Sequence, residues 1–236
     1  MHQPAVQQQG FSEAQVAAEN AAFMRKVYAF MAAGLGVTAL TAVLVASSEA
    51  AIRLIVLNRG VFYGLLIGEL VMVWTFASVA QRMSAVGAAA LFFIYAMMNG
   101  LTLSVIFLVY TKASISLTFF VTAGTFGGMS VYGFLTKRDL TSVGNFMMMG
   151  LFGLILASIV NLFLGSPMIY WATTYFGILI FVGLTAYDTQ KIKQLNVIGN
   201  AGSDEDHKEA IHGALVLYLD FINLFLYMLR LLGRRR

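Results

Sequence analysis

Residues 215–232 read LVLYLDFINLFLYMLRLL, an apolar stretch that contains one acid, Asp220. A helix of about 20 residues crosses the roughly 30 Å hydrocarbon core of a bilayer, so this stretch predicts a membrane-spanning helix. Six further apolar runs have similar lengths, whereas β-barrel strands would be half as long and would alternate polar with apolar residues. The seven runs are 27–47, 61–81, 86–110, 115–136, 145–164, 169–190 and 211–232. The sequence therefore predicts an all-α membrane protein with seven transmembrane helices.

The composition agrees with a location in the lipid bilayer. Of the 236 residues, 59% are hydrophobic and 11% are charged. Soluble domains carry about 25% charged residues, so this balance is typical of a membrane protein. The chain has no cysteine, which excludes disulfides, thiolate metal sites and a cysteine nucleophile.

Short connections pair the first six runs into three hairpins, followed by a solitary last helix. They leave no room for a separate soluble domain. Residues 1–22 are polar and rich in glutamine, so we predict a flexible cytoplasmic tail at 1–22 and a transmembrane domain at 23–236. No small-residue cleavage site follows the first run, which indicates a retained span and not a signal peptide.

The distribution of Lys and Arg predicts a cytoplasmic N-terminus, because cytoplasmic loops carry the excess of these residues. With that orientation the inner segments hold Arg25, Lys26, Arg82, Lys137, Arg138, Lys191, Lys193 and Lys208, and the outer loops hold Arg53, Arg59 and Lys112. The terminal RRR at 234–236 conflicts with this rule, since a seventh full crossing places it outside. A re-entrant last segment would return it inside. We predict seven crossings, in which the other Lys and Arg residues set the orientation and the three terminal arginines lie outside.

Three acids lie within the apolar runs: Glu69, Asp188 and Asp220. A charged acid at the bilayer centre costs at least ~2.5 kcal/mol, so each needs a partner, a proton or water. If the last two helices are antiparallel neighbours, Asp188 lies about 10 Å and Asp220 about 13 Å from their inner ends. The two carboxyl groups would then lie at nearly the same depth and could meet.

The residues around both aspartates predict a site that faces inward. Small or polar residues follow helical spacing on one face of each run, and Leu and Phe occupy the other faces. The two stripes are Gly177, Phe181, Thr185 and Asp188 on the sixth run, and Gly213, Asp220, Asn223 and Tyr227 on the seventh. Thr185 and Asn223 are therefore candidate pore-lining residues.

Asp188 and Asp220 form a candidate pH sensor and gate. Two carboxylates within hydrogen-bonding distance in low dielectric cannot both ionise cheaply, so they share a proton and titrate as a unit. The protonated pair would join two helices, and the deprotonated pair would repel itself or recruit a cation. Carboxylate oxygens suit calcium, so the pair is also a candidate transient calcium site. The alternative is a buried polar clamp that only holds the register of the helices.

Two further charged residues have open interpretations. Arg82, at the inner end of the second run, either pairs with Asp188 as a latch for the closed state or is an ordinary positive-inside residue with its head in water. Glu69 follows a face of small residues near the membrane centre. It either lines the path of a cation or is protonated and hydrogen-bonded to a neighbour.

Several stretches resemble the Bax inhibitor-1 family, whose animal members are called transmembrane Bax inhibitor motif proteins. The most specific are FVGLTAYDTQKIK at 181–193 and LYLDFINLFLYMLRLLG at 217–233. FMRKVYAFM at 23–31 and FGGMSVYGFLTKRDL at 126–140 add support. The resemblance is to the bacterial branch and covers nearly everything after residue 23.

This resemblance implies a fold in which three hairpins surround a central last helix, in a bacterial inner membrane with a cytoplasmic N-terminus. It also implies a pH-sensitive calcium leak, whose paired acids map onto Asp188 and Asp220. An arginine that latches to the acid pair in a bacterial relative maps onto Arg82. A different branch of the family regulates a membrane-bound AAA protease, which adds a partner-binding alternative.

Other chemistry finds little support in the residues. Ser130 has no intramembrane histidine to activate it, so we expect no enzymatic activity. His207 and His212 are spaced by five, which does not place both on one helical face for a metal. The sequence has no Walker loop, dinucleotide fingerprint or nucleic-acid module, so we expect no cofactor and no nucleic-acid partner.

We therefore expect a passive calcium leak gated by protonation of Asp188 and Asp220. The partners expected are the lipid bilayer, calcium ions as the transported species and, in the second reading, another membrane protein. That second reading is a non-conducting regulator that binds a membrane protein such as a protease complex. A third is a cation/proton exchanger that uses the same acids.

Overall fold

The computed structural model describes residues 10–79 and 82–236 of the chain. Among these residues, seven helices are long and apolar enough to cross a membrane. They are α1 Glu13–Ala46, α2 Arg59–Val79, α3 Ala85–Leu103, α4 Lys112–Leu135, α5 Thr141–Leu164, α6 Pro167–Leu195 and α7 Asp204–Leu232. Each coincides with one predicted apolar run, so the predicted all-α membrane fold with seven spans is confirmed. Residues 80 and 81 of the second run lie outside the described residues.

Helix α1 begins earlier than the sequence interpretation places it. Residues 1–9 of the predicted flexible tail lie outside the described residues, and the structure is helical from Glu13 onward. A capping box explains this start, because the Ser12 hydroxyl accepts from the Gln15 N–H while the Gln15 side chain accepts from the Ser12 N–H. Each side chain thus accepts from the backbone N–H of the other residue, so two N–H groups that would lack a partner at the helix end are bonded. Helix α1 therefore begins before the boundary predicted at residue 22, and the division into a tail and a transmembrane domain stays a prediction.

The connections also contain more helix than the sequence predicts. The α1–α2 connection holds a short helix at Glu49–Ala51 and a π-helical turn at Ile52–Val56, and a further short helix, Ile106–Val109, follows α3. The polar residues between the sixth and seventh apolar runs are only partly a loop, because α7 already begins at Asp204. Acidic residues in the first turn stabilise that end through the helix dipole. Gly199 and Gly202 make the preceding turn with φ of 92° and 82°, values that favour glycine.

The described residues form two compact units. The first takes in the chain up to Val109 together with Lys193–Tyr218, and the second consists of Tyr110–Ile192 and Leu219–Arg236. Helix α7 thus contributes its first half to one unit and its second half to the other. Of its most apolar stretch 50% is buried, compared with 39% at most for the other six helices. Helix α7 is therefore the most buried of the seven candidate spans.

In the first unit, α1 and α3 pack closely through glycines. A Cβ on Gly100 would lie 2.7 Å from the Thr38 carbonyl oxygen, so only glycine permits this approach. The Thr38 side chain bonds the Ala96 carbonyl oxygen at 2.8 Å and the Tyr218 hydroxyl at 2.7 Å. These contacts tie α1 and α3 to the first half of α7.

In the second unit, α4 packs on α6 and on the second half of α7. A Cβ on Gly133 would lie 2.2 Å from the Ala186 carbonyl oxygen, so the two backbones are nearly in contact. The Phe126 ring meets the Phe221 ring edge-on, with centroids 5.4 Å apart. Helices that approach through glycine in this way are typical of membrane proteins.

The end of α7 bears on the alternative between a full crossing and a re-entrant segment. The helix is continuous to Leu232, and its end meets the connection between α3 and α4. There the Thr111 N–H donates to the Arg234 carbonyl oxygen at 3.1 Å, and the Arg234 N–H donates to the Ser114 hydroxyl at 3.0 Å. Helix α7 is therefore long enough for a full crossing and does not turn back within its length, and the side of the membrane on which residues 234–236 lie stays a prediction.

Candidate functional site

Helix α6 and the second half of α7 lie side by side and antiparallel in the second unit. A Cβ on Gly177 would lie 2.7 Å from the Tyr227 ring. The rings of Phe181 and Tyr227 stack with centroids 5.9 Å apart. Asp188 interacts with Asp220 further along the same seam. The polar stripes read from the sequence on these two segments therefore face each other.

The centre of the candidate site is the pair of aspartates. A side-chain hydrogen bond joins Asp188 to Asp220, and Asp220 is 5% exposed. No N–H or hydroxyl group among the described residues donates to Oδ2 of Asp220. An ionised carboxylate can only accept, so two carboxyl groups bond to each other only when one of them carries a proton. A hydrogen bond between the two therefore requires a proton on one of them, and their role as a pH sensor and gate stays a prediction.

Lys191 is a member of the site that the sequence interpretation used only for orientation. Its positive charge acts on the Asp188 carboxyl group, and its ammonium nitrogen lies 5.6 Å from the centroid of the Tyr187 ring. Residues three apart on a helix are neighbours, so this spacing was available as a signal. A cation beside one acid favours the charged form of that acid and thus the loss of the shared proton.

The C-terminal end of α6 is braced by the connection between α4 and α5. The Gln190 side-chain oxygen accepts from the Leu140 N–H at 2.9 Å, and its amide nitrogen donates to the Arg138 carbonyl oxygen at 2.8 Å. A Cβ on Gly144 would lie 2.4 Å from the Tyr187 ring, so α5 also approaches closely. Together these contacts hold Asp188 in place. Nothing in the local sequence pattern distinguishes Gln190 as a brace.

The two predicted pore-lining residues beside the acids bond to their own helices. Thr185 is fully buried, and its hydroxyl donates to the Phe181 carbonyl oxygen at 2.7 Å. The Asn223 amide donates to the Leu219 carbonyl oxygen at 2.8 Å. Each keeps an oxygen that can accept a further bond. Their role in lining a pore stays a prediction.

Glu69 lies in the first unit, buried against α3. It accepts from the Thr102 hydroxyl at 2.8 Å and from the Asn99 amide at 3.5 Å. The hydrogen-bonded arrangement, one of the two interpretations of this residue, is therefore present. Whether Glu69 also borders the path of a cation stays a prediction.

Arg82 lies in the connection between α2 and α3, and its side chain is exposed. Its pairing with Asp188 stays a prediction.

A cluster of three or more His, Cys, Asp or Glu side chains that could hold a metal does not occur among residues 10–79 and 82–236. Calcium needs six to eight oxygen ligands, and two carboxyl groups supply at most four. Transient calcium binding by Asp188 and Asp220 stays a prediction.

Comparison with known proteins adds independent information. A family model described as inhibitor of apoptosis-promoting Bax1 matches residues 20–236. The chain is 49% identical to the inner membrane protein YbhL of Escherichia coli strain K12, over 91% of this chain and 92% of that protein. It is 46% identical to the uncharacterized protein RP147 of Rickettsia prowazekii, over 91% and 90% of the two chains. An uncharacterized protein of Borreliella burgdorferi is 41% identical over 91% and 92%.

Proposed function

The chain belongs to the Bax inhibitor family, and from the acid pair we propose that it is a pH-sensitive passive leak for calcium or related cations. Protonation of Asp188 and Asp220 would control the leak. The observation that carries this proposal is the hydrogen bond between two carboxyl groups on neighbouring membrane helices, one of them buried. Acids within membrane-spanning segments are energetically costly and therefore rare, so a pair of them favours a functional role.

The proposed gate follows from the electrostatics of the pair. With a shared proton, the pair joins α6 to α7 and the leak is closed. When the proton leaves, two like charges in low dielectric repel each other, and α6 and α7 separate or a cation enters between them. The leak should therefore open as pH rises.

Calcium is proposed as the transported ion because of the donor chemistry. It is a hard cation that prefers carboxylate and carbonyl oxygens, and the site offers both carboxyl groups and the side-chain oxygens of Thr185 and Asn223. The sequence has no Walker loop. We therefore propose that movement follows the calcium gradient and is not driven by ATP.

We further propose a bacterial inner membrane as the location, with the N-terminus in the cytoplasm. The relative YbhL, 49% identical to this chain, is called an inner membrane protein, which supports this location. The distribution of Lys and Arg supports the orientation. In that orientation Arg82 lies on the cytoplasmic side. There it would act as a second latch on the closed state by pairing with Asp188.

Reconstitution into vesicles that contain a calcium-sensitive dye tests the proposal. A passive leak predicts calcium entry without a proton gradient, faster at high pH than at low pH. Entry that requires protons to move in the opposite direction would instead establish an exchanger. No entry at any pH would contradict the leak and favour the non-conducting regulator.

A further inference from the structure

Buried hydroxyl side chains recur along most of the length of α4. They lie four or eight residues apart, so each step turns by about 40° or 80° and the hydroxyls form an oblique row around the helix. We call Ser114, Thr118, Thr122 and Ser130 the hydroxyl file. All four are buried, with exposed fractions of 7%, 0%, 0% and 4%. From Ser114 to Ser130 the file spans about 24 Å, most of the thickness of a hydrocarbon core.

The two ends of the hydroxyl file have different partners. At one end, Ser114 accepts from the Arg234 N–H at 3.0 Å, beside the C-terminus of α7. At the other end, the Thr189 hydroxyl donates to the Ser130 hydroxyl at 3.4 Å. Thr189 directly follows Asp188 in α6. The file thus leads from the end of α4 near Arg234 to the acid pair.

The two middle hydroxyls have no hydrogen-bond partner among the described residues. A threonine in a helix normally donates to the carbonyl oxygen four residues before it, as Thr125 does to Val121 at 2.9 Å. Thr118 and Thr122 are buried and make no such bond. An unpaired buried hydroxyl costs about 1–3 kcal/mol. Valine, which has the same shape, would avoid this cost, so the hydroxyls indicate a polar partner that comes from outside the protein.

One aromatic contact interrupts the file. Phe126 occupies the position between Thr122 and Ser130, and its ring meets the Phe221 ring with centroids 5.4 Å apart. The Phe119 ring contacts the same Phe221 ring at 5.6 Å. Apolar constrictions close pores by excluding water. Because Phe221 directly follows Asp220, any shift of α7 that separates the acids also moves Phe221 relative to Phe126.

We propose that the hydroxyl file is the polar wall of the route by which water and hydrated cations reach Asp188 and Asp220, with Phe126 and Phe221 as its constriction. The inference deepens the proposed leak and rests on it for the identity of the cation. Whether water enters the route can be tested without calcium. Single introduced cysteines can report water access independently of ion transport, because the chain contains no cysteine of its own.

Single cysteines at Thr118 and Thr122 in the reconstituted full-length protein provide the test. A membrane-impermeant methanethiosulfonate reagent is added on the side of the α3–α4 connection. At one fixed pH we expect both cysteines to react, Thr118→Cys faster than Thr122→Cys. The control is Phe120→Cys, whose side chain is 72% exposed on the outside of the protein and should face lipid. Reaction of Thr118→Cys and Thr122→Cys no faster than that of Phe120→Cys would overturn the inference.

Isosteric valines give the second measurement. Thr118→Val with Thr122→Val should reduce calcium entry about tenfold, the factor that about 1.4 kcal/mol of lost hydrogen bonding produces. Thr125→Val is the matched control and should leave entry unchanged. Unchanged entry in the double variant would contradict the inference, and higher thermal stability alone would assign the hydroxyls a purely structural role. Labelled cysteines without calcium entry in any variant would uphold the wet route and refute the leak.

Discussion

Asp188 of α6 and Asp220 of α7 hydrogen-bond to each other within the apolar part of a membrane protein. The interaction between the two helices at this point depends on one proton. The carboxyl groups attract each other when one is protonated and repel each other when both are charged.

The close approach of α4 to α6 should be sensitive to a single methyl group. In Gly133→Ala the new Cβ would lie 2.2 Å from the Ala186 carbonyl oxygen, so the two backbones must separate. We expect a loss of about 1–3 kcal/mol in the free energy of unfolding, the usual cost of overpacking. Thermal unfolding in detergent measures it. Gly128→Ala on the same helix is the control, because a Cβ there meets nothing within 4 Å. Equal melting temperatures for the two variants would refute the contact.

Lys191 should set the pH at which the leak opens. Its charge favours the ionised form of Asp188, so Lys191→Gln should move the midpoint of calcium entry against pH to a higher pH. Lys191→Arg keeps the charge and should keep the midpoint. A Gln variant with the wild-type midpoint would show that this cation does not act on the gate.

Arg82 is proposed to stabilise the closed state. Arg82→Ala should then raise calcium entry at low pH, where the wild-type protein is closed. Lys137→Ala removes another exposed charge, which the distribution of Lys and Arg also predicts on the cytoplasmic side, and serves as the control for surface charge. If entry at low pH is the same in both variants, Arg82 is an ordinary positive-inside residue.

The ion pair between Lys26 and Asp206 should stabilise the first unit. Asp206 is 1% exposed and also accepts from the Gly202 N–H at 2.7 Å. Lys26→Met leaves a buried carboxylate without its cation and should cost about 1–3 kcal/mol. Asp206→Asn should cost less, because Lys26 is partly exposed and can turn to water. Thermal unfolding of both variants gives the order, and the reverse order would contradict this account.

The sequence predicted the spans from the length of its apolar runs and the facing acids from helical spacing within two of those runs. Hydropathy identified the seven helices, and spacing placed Asp188 and Asp220 on facing stripes. The start of α1 at Glu13 was readable from Ser12 and Gln15, because a capping box is a local signal.

Contacts between distant segments could not be read in this way. The bonds of Gln190 to Arg138 and Leu140 depend on which helices become neighbours, and no local pattern encodes that choice. The unpaired hydroxyls of Thr118 and Thr122 are likewise visible only once the packing around α4 is known. Periodicity shows which residues share a face, whereas tertiary structure decides what the face meets.

The pH dependence of calcium entry into dye-loaded vesicles, compared between the wild-type protein and Asp220→Asn, tests the acid-pair gate most directly. Asparagine keeps the shape of aspartate but cannot titrate. We predict that wild-type entry rises with pH and that the Asp220→Asn curve is flat, while Glu49→Gln, a change at an exposed acid, keeps the wild-type curve. An Asp220→Asn protein that responds to pH as the wild type does would contradict the account.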